Sequence, residues 1–197
     1  MIFIGDVHGK WGKYHEIINS TKEETLQVGD MGIFSYWDVQ YKFKPGDNDY
    51  FIRGNHDNPD FCLAHPQHLG DFGYLNDNSL FFVAGAWSID WEHRTPEVDW
   101  WKHEELYADE LALAYLLYKE KKPKIMVTHD VPATLYHEFF SYLPEQQTRT
   151  THYLDKMWRE HMPELWVFGH HHKSIRQQVE DCLFVGLGEL EIFRYDL

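Results

Sequence analysis

Cysteine is scarce in this chain, and long apolar runs are missing from it. Only Cys62 and Cys182 occur among 197 residues, so we expect neither a disulfide framework nor a cysteine-based zinc knuckle, and we predict two core cysteines in a cytoplasmic protein. No run approaches the roughly 20 apolar residues of a membrane-spanning helix. The N-terminal MIFIGDVHGK also lacks the basic start and apolar core of a signal peptide.

Positive charge is equally limited. Lys and Arg number 18 against 32 Asp and Glu, which gives a formal net charge of −14. This balance argues against extended nucleic-acid binding, which uses a broad basic surface. An anionic substrate is compatible with it only where a local positive centre exists, such as a bound cation.

The sequence does contain a series of six short apolar runs, of which four end in glycine and a fifth has glycine before its last residue. At 43% apolar residues, the chain is predicted to fold as one globular domain over residues 1–197. The six runs predict buried strands and are MIFIG (1–5), TLQVG (25–29), DYFIRG (49–54), LFFVAG (80–85), KIMVTH (124–129) and LWVFGH (165–170). CLFVGLG (182–188) and ELEIFRYDL (189–197) predict two more strands, joined by a tight turn at a sheet edge.

Helical spacing lies between these runs. Apolar residues recur at three and four positions after the first strand, in the stretch from Trp11 to Ile18, and again over 103–120 and 153–162. Alternation of strands and helices predicts an α/β fold, in which ligands gather beyond the carboxyl ends of the strands.

Polar clusters stand at those strand ends. The metal-ligand candidates among them are Asp6, His8, Asp30, Asn55, His129, His170 and His172. Ring nitrogens with carboxylate and amide oxygens suit ions such as manganese, iron or zinc better than calcium. Seven groups are too many for one ion with an open position, but they suffice for two ions bridged by one carboxylate.

The run FGHHHKS, residues 168–174, is open to two interpretations, because three consecutive histidines can belong to a metal site but also occur in plain surface loops. In extended backbone, His170 and His172 leave on the same side of the chain and His171 points away. Each cluster taken alone also fits an ordinary turn. Their ordered recurrence at successive strand ends favours a single convergent metal site.

The ordered motifs GDVHG, GDMG, GNHD, THD and GHHH span residues 5–172, and in this the chain resembles the calcineurin-like metallophosphoesterase superfamily. The resemblance implies a four-layer αββα sandwich of two mixed β-sheets flanked by helices. It also implies a two-metal centre, with manganese as the first choice and iron, zinc, nickel or cobalt as alternatives. The implied ligands of the first ion are Asp6, His8 and His172, those of the second are Asn55, His129 and His170, and Asp30 bridges the two.

The same resemblance implies roles outside the metal shell. His56 lies near the leaving oxygen as a general acid, and Asp57 orients its ring. Arg53, in RGNHD, is a candidate phosphate-binding residue, with a structural strand position as an equal alternative. Asn55 contacts substrate as well as metal.

Residues 84–106, AGAWSIDWEHRTPEVDWWKHEEL, are similar to a GGAxSxDxxxR…WW…E segment of small superfamily members, including phage-encoded ones. Arg94 in this segment is a candidate ligand of the substrate phosphate, and a salt bridge with Asp90 is the competing interpretation. The tryptophans of the segment suit stacking on a leaving group, although core packing is the favoured role for most of them.

The predicted function is hydrolysis of phosphate mono- or diesters by direct hydroxide attack, with a small phosphorylated molecule or nucleotide as the favoured substrate. The second motif, GDMGIFSYW, departs from the GDxVDRG of serine/threonine phosphatases. A phosphoprotein phosphatase is therefore ranked below a small-molecule phosphoesterase, as the first alternative. A nuclease and a non-catalytic metal-binding scaffold follow. The sequence leaves the oligomeric state open.

Overall fold

The protein is described here by a computed structural model that covers residues 1–141 and 147–196. Its first sheet has four strands in the order β10-β1-β2-β3. β1, β2 and β3 run parallel, and β10 pairs antiparallel with β1. These strands are Ile2–Ile4 (β1), Thr25–Gln27 (β2), Asp49–Phe51 (β3) and Ile192–Arg194 (β10).

The second sheet has six strands in the order β4-β5-β6-β7-β9-β8. The four central strands are parallel, and the edge strands β4 and β8 are antiparallel to their neighbours. The strands are Phe72–Leu75 (β4), Leu80–Val83 (β5), Ile125–Thr128 (β6), Leu165–Phe168 (β7), Ile175–Val179 (β8) and Cys182–Gly186 (β9). Both sheets are therefore mixed, as predicted.

Three apolar layers hold these sheets and the helices together. Side chains of both sheets, such as Phe3 and Phe82, form one layer between the sheets. On the outer side of the six-stranded sheet, Phe81 belongs to a cluster with residues of three helices, and on the outer side of the other sheet Ile4 packs with the first helix. Neighbouring Phe81 and Phe82 face opposite layers because side chains alternate along a strand. The result is the predicted αββα sandwich.

The α-helices are Trp11–Asn19 (α1), Pro59–Leu63 (α2), Ala108–Lys121 (α3), Tyr136–Phe139 (α4) and Arg149–Glu160 (α5). Three of them match the predicted helices, but α3 begins at residue 108 rather than 103, because the preceding residues turn inward and bury Glu104 and Glu105. Thr148 caps α5 by accepting a hydrogen bond from Thr151 N–H. Within the described ranges, no helix combines the length and apolar character that crossing a bilayer requires.

All six buried strands predicted from the apolar runs are present, but the predicted C-terminal hairpin is wrong. β9 pairs with β7 and β8, whereas β10 lies in the other sheet beside β1. The tight turn instead joins β8 to β9, with Glu180 in the left-handed region at φ 51°. β8 reads IRQQV, so its polar residues gave no apolar signal. Leu197, the last residue of the predicted C-terminal strand segment, lies outside the described residues.

Candidate metal centre

The carboxyl ends of β1, β2, β3, β6 and β7 bring the predicted ligands together. Four of these ligands, His8, Asp30, His170 and His172, have positive φ angles of 46°, 58°, 65° and 51°. Residues other than glycine rarely adopt this left-handed conformation, and such strain concentrates at functional sites. The backbone thus turns sharply in the loops after β1, β2 and β7 and directs these four side chains toward one another.

The first ligand group consists of Asp6, His8, Asp30 and His172. Their ligand atoms all lie within 4.8 Å of one another. The Nε2 atoms of His8 and His172 are 2.8 Å apart, and His172 Nε2 lies 3.1 Å from Asp6 Oδ2. Two atoms that each lie about 2.0–2.2 Å from one ion are separated by roughly 3–4 Å, so these donors match the spacing of a shared cation.

The second ligand group consists of Asp30, His129 and His170, again within 4.8 Å of one another. His129 Nε2 lies 3.2 Å from Asp30 Oδ1 and 3.2 Å from Asn55 Oδ1. The other ring nitrogen of His129, Nδ1, is 2.9 Å from the carbonyl oxygen of Val28. That backbone contact fixes the ring and leaves Nε2 toward the group.

Asp30 belongs to both groups and lies between them. Its Oδ1 faces His129, while its Oδ2 lies 3.7 Å from His8 Nε2. The carboxylate is buried, and its Oδ1 also accepts the backbone N–H of His56 at 2.7 Å. A carboxylate with one oxygen toward each set of nitrogens fits a bridge between two divalent ions.

Strong electrostatic coupling marks this cluster. Burial acts to raise the pKa of Asp30, but the facing His129 outweighs it and holds that pKa well below its usual range. Burial acts to lower the pKa of His129, and Asp30 overrides it and raises the pKa to about 10. In the metal-free protein, a protonated ring therefore balances the buried carboxylate, and bound cations would take over that role.

His56 stands beside the two groups and its ring meets Arg94. The guanidinium nitrogens of Arg94 lie 2.9 Å from His56 Nδ1 and 2.8 Å from Nε2. Burial lowers the pKa of His56, and the charge of Arg94 lowers it further, against an opposing effect of Asp30. Arg94 also forms the salt bridge with Asp90 that was the competing interpretation, with 2.7 Å between Nε and Oδ1. Arg94 therefore makes that salt bridge and also reaches the edge of the centre.

The predicted role of Asp57 is not what the structure shows. Its buried carboxylate accepts backbone N–H groups of Met31, Gly32, Ile33 and Gly54 at 2.7–3.1 Å. With both oxygens occupied in this way, Asp57 ties the loop after β2 to the loop after β3 instead of orienting the ring of His56. The carboxylate thereby fixes the two loops that carry Asp30 and Asn55 relative to each other.

Arg53 occupies the structural alternative that the sequence left open. Its side chain is 2% exposed, and its Nε lies 2.6 Å from Asp71 Oδ1. One guanidinium nitrogen donates to the backbone carbonyl of Glu104 at 2.9 Å. A buried guanidinium held by these two partners anchors the 84–106 segment against β3, and this geometry does not favour contact with substrate.

His171 belongs to neither of these two ligand groups and pairs with a partner that the sequence did not reveal. It does not point away as predicted, because its ring lies beside that of His170, with 4.8 Å between the centroids. Its Nε2 lies 3.0 Å from Asp130 Oδ1. The same oxygen accepts the hydroxyl of Tyr136 at 2.9 Å and the backbone N–H of Val131 at 2.8 Å. Asp130, His170 and His171 form a third compact group of possible ligands, but the donors already around this oxygen favour a structural cluster.

A cavity of about 360 Å³ opens above the centre. Groups that line it include Asp30, Asn55, His56, Arg94 and His172, together with the apolar side chains of Trp87 and Ile89. Its size is at the lower end for small-molecule sites. The predicted general acid, a guanidinium and apolar contact area therefore border the same space as the ligand groups.

Glycine at position 54 lets the loops approach this closely, and we expect Gly54→Ala to disable the centre. An added Cβ would lie 2.1 Å from Asp30 Oδ1 and 2.5 Å from His129 Nε2, so both ligands must shift. We expect manganese affinity, measured by calorimetry, to fall at least about tenfold, as for other disturbances around metal ligands.

Gly12→Ala is the matched control, because nothing lies within 4 Å of its added Cβ. Gly12 is inside α1, where alanine is favoured over glycine by roughly 0.5–1 kcal/mol. The control is expected to unfold at a slightly higher temperature and to bind manganese normally. Equal manganese affinity in both variants would contradict the tight approach at Gly54.

Comparison with known proteins agrees with the motif order. A family model described as calcineurin-like phosphoesterase matches residues 1–174. No curated protein matches the sequence.

Among solved structures, the chain is similar to a proposed 5′-nucleotidase from Staphylococcus aureus crystallised with alpha-ketoglutarate, with 12% identity and a TM-score of 0.55. The match covers 99% of this chain and 50% of that one, so the chain spans half the length of the staphylococcal protein. GAP50, the anchor in the inner membrane complex of Plasmodium, gives 12% identity, a TM-score of 0.54 and coverage of 95% and 71%. At this identity the likeness shows the fold alone.

Proposed function

The chain belongs to the calcineurin-like phosphoesterase family, and from this premise we propose that it hydrolyses small phosphate esters at a dinuclear metal centre. The position of Asp30 carries the proposal, because its two oxygens face two separate groups of ring nitrogens and carboxylates. One ligand group alone would also suit a structural ion. Two groups that share a carboxylate beside an open cavity favour catalysis.

The chemistry of the donors fits two divalent ions. Asp6, His8 and His172 would hold the first ion, Asn55, His129 and His170 the second, and Asp30 both. Held by these residues, two such ions would supply charge stabilisation for the phosphate oxygens and would make hydroxide available near neutral pH. Manganese is the proposed metal, since mixed nitrogen and oxygen ligands suit it.

His56 and Arg94 complete the proposed site. His56 would donate a proton to the leaving oxygen, and Arg94 would bind a non-bridging phosphate oxygen. The two side chains contact each other and border the cavity. Negative charge from a bound ester between them would raise the pKa of His56 and favour the protonated form that a general acid needs.

A small ester is the proposed substrate class, because the cavity is small and the chain is acidic. The test is hydrolysis by manganese-loaded protein of p-nitrophenyl phosphate, bis-p-nitrophenyl phosphate and a panel of nucleotides. We expect turnover that a chelator abolishes and that added manganese restores. A phosphopeptide hydrolysed far faster than any small ester would favour the phosphatase alternative. Metal-loaded protein that is inert across the panel would favour the scaffold.

Replacement of Arg94 tests its assignment. We expect Arg94→Ala to lower kcat/KM by roughly 10- to 100-fold, because one charge-assisted hydrogen bond to the phosphate is lost at about 1.5–3 kcal/mol. Lys102→Ala is the control, as the other cation of the 84–106 segment apart from the histidines, and it should retain wild-type kinetics. If the two variants behave alike, Arg94 serves only its salt bridge with Asp90.

We retain the cytoplasmic location as a prediction. Cys62 and Cys182 are both free thiols buried in the core, which a reducing compartment preserves.

A further inference from the structure

Two buried polar residues of the 84–106 segment, Ser88 and Glu104, belong to neither ligand group but connect to one ligand. Ser88 is 1% exposed and Glu104 is 2% exposed. The side chain of Asn55, itself buried, donates from Nδ2 to Ser88 Oγ at 3.0 Å. A chain of hydrogen bonds therefore runs from Glu104 through Ser88 to Asn55.

The direction of these bonds is set at Glu104. One carboxylate oxygen accepts the backbone N–H of Ser88 at 2.8 Å, and the other accepts the Ser88 hydroxyl at 2.5 Å. Burial raises the pKa of Glu104, while both bonds from Ser88 act against this rise. Because the single hydroxyl proton of Ser88 is committed to Glu104, its oxygen is left as an acceptor for Asn55.

The Asn55 amide has one end that can bind a cation and one that cannot. The direction of the hydrogen bond from Asn55 to Ser88 therefore determines which end faces the ligand group. With Nδ2 directed to Ser88, the other end, Oδ1, lies 3.2 Å from His129 Nε2. An amide turned by 180° would present two N–H donors to the ion instead of oxygen lone pairs.

Glu104 is itself held in place through its backbone. Its backbone carbonyl accepts a hydrogen bond from Arg53 at 2.9 Å, and Gly85 N–H donates to the carbonyl of Arg53 at 2.8 Å. The buried guanidinium thus fastens the segment to the loop that follows β3, at a position two residues before Asn55.

We propose that Glu104 and Ser88 are positioning residues that orient the Asn55 amide, so that its oxygen ligates the ion shared with His129 and His170. This inference rests on the proposed function, since it requires a second ion. It gives the Ser and Glu of the 84–106 segment a role that its tryptophans and Arg94 do not have.

Glu104→Gln is the first test, because it preserves size but replaces an acceptor by an NH₂ donor. The donor reverses the bond to Ser88, whose proton then turns to Asn55 and favours the flipped amide. We expect the dissociation constant of the second manganese ion to rise about 10- to 100-fold, as for other partners of metal ligands, with the first ion unaffected. Ser88→Ala should have a similar effect. Manganese titration by calorimetry and electron paramagnetic resonance measures both ions.

Glu105→Gln is the matched control. Glu105 is the adjacent buried carboxylate, but it accepts the N–H of Thr150 at 2.9 Å and faces α5 rather than Asn55. This variant should bind both ions as the wild type does. Thermal unfolding of each metal-free variant, followed by circular dichroism, identifies any loss of folding.

The decisive variant combines Glu104→Gln with Asn55→Asp. In this double variant, the introduced glutamine donates to Ser88, Ser88 donates to one oxygen of the introduced aspartate, and the other aspartate oxygen ligates the ion. The number of carboxylates equals that of the wild type. We expect the double variant to bind the second ion at least about tenfold more tightly than Glu104→Gln alone. Tenfold is the lower end of the affinity loss expected for Glu104→Gln.

The outcomes separate this inference from the proposed function. If the wild type binds two ions and turns over ester while Glu104→Gln does the same with unchanged affinity, only the positioning role is overturned. A double variant no better than Glu104→Gln also overturns it, since the bond direction is then irrelevant. A wild type that binds fewer than two ions overturns both.

Discussion

Replacing His56 by alanine is expected to leave both metal ions bound and to reduce kcat by roughly 100- to 10,000-fold, the usual contribution of a general acid. The ring of His56 borders the cavity and contacts Arg94, while neither compact ligand group includes it. Elemental analysis of the variant, together with steady-state kinetics in manganese, measures both parts of this expectation.

The leaving group provides a sharper readout. p-Nitrophenolate departs without a proton, whereas an alkyl alkoxide needs one. The decrease of kcat caused by His56→Ala should therefore be much larger for alkyl esters than for p-nitrophenyl esters. His65→Ala is a suitable control, because that ring packs against Phe43 and Phe51. Loss of metal from His56→Ala would show that this residue is a ligand, and equal losses for both leaving groups would remove its role as an acid.

Asp30→Asn is expected to have the largest effect of any single substitution. The amide retains the shape but has only one oxygen, so it cannot supply a ligand oxygen to each of the two groups that face Asp30. Loss of the paired ions should cost several kcal/mol of transition-state stabilisation, which corresponds to a decrease in kcat of roughly 1,000-fold or more. Metal titration should find at most one tightly bound ion.

Asp49→Asn is the matched control for Asp30→Asn. Asp49 is also buried and accepts the Thr25 hydroxyl at 2.8 Å, but it lies at the amino end of β3, away from the ligand loops. Its substitution should lower the unfolding temperature without changing the metal stoichiometry. A fully active Asp30→Asn variant with two bound ions would refute the bridging role and the dinuclear proposal with it.

Local patterns were sufficient for most of the architecture. The six buried strands could be predicted because each is a short apolar run closed by a turn residue, and a buried parallel strand has this pattern regardless of its partners. The edge strands β4 and β8 and the short helices α2 and α4 could not. β8 is mostly polar, β4 is interrupted by Gly73, and the two helices span only five and four residues. Strand pairing was beyond such patterns as well, as β10 shows by joining β1 across the molecule.

The sequence by itself determined which side chains are the candidate metal ligands. These are the residues that follow a strand in a turn that admits close approach, namely Asp6, His8, Asp30, Asn55, His129, His170 and His172. Only the tertiary structure decided what the remaining polar groups contact. Asp57 binds backbone, Arg53 is buried against Asp71, and Asn55 meets Ser88. The physical reason is that a ligand loop is specified by neighbouring residues, whereas a hydrogen-bond partner 26, 18 or 33 positions away depends on how the chain packs.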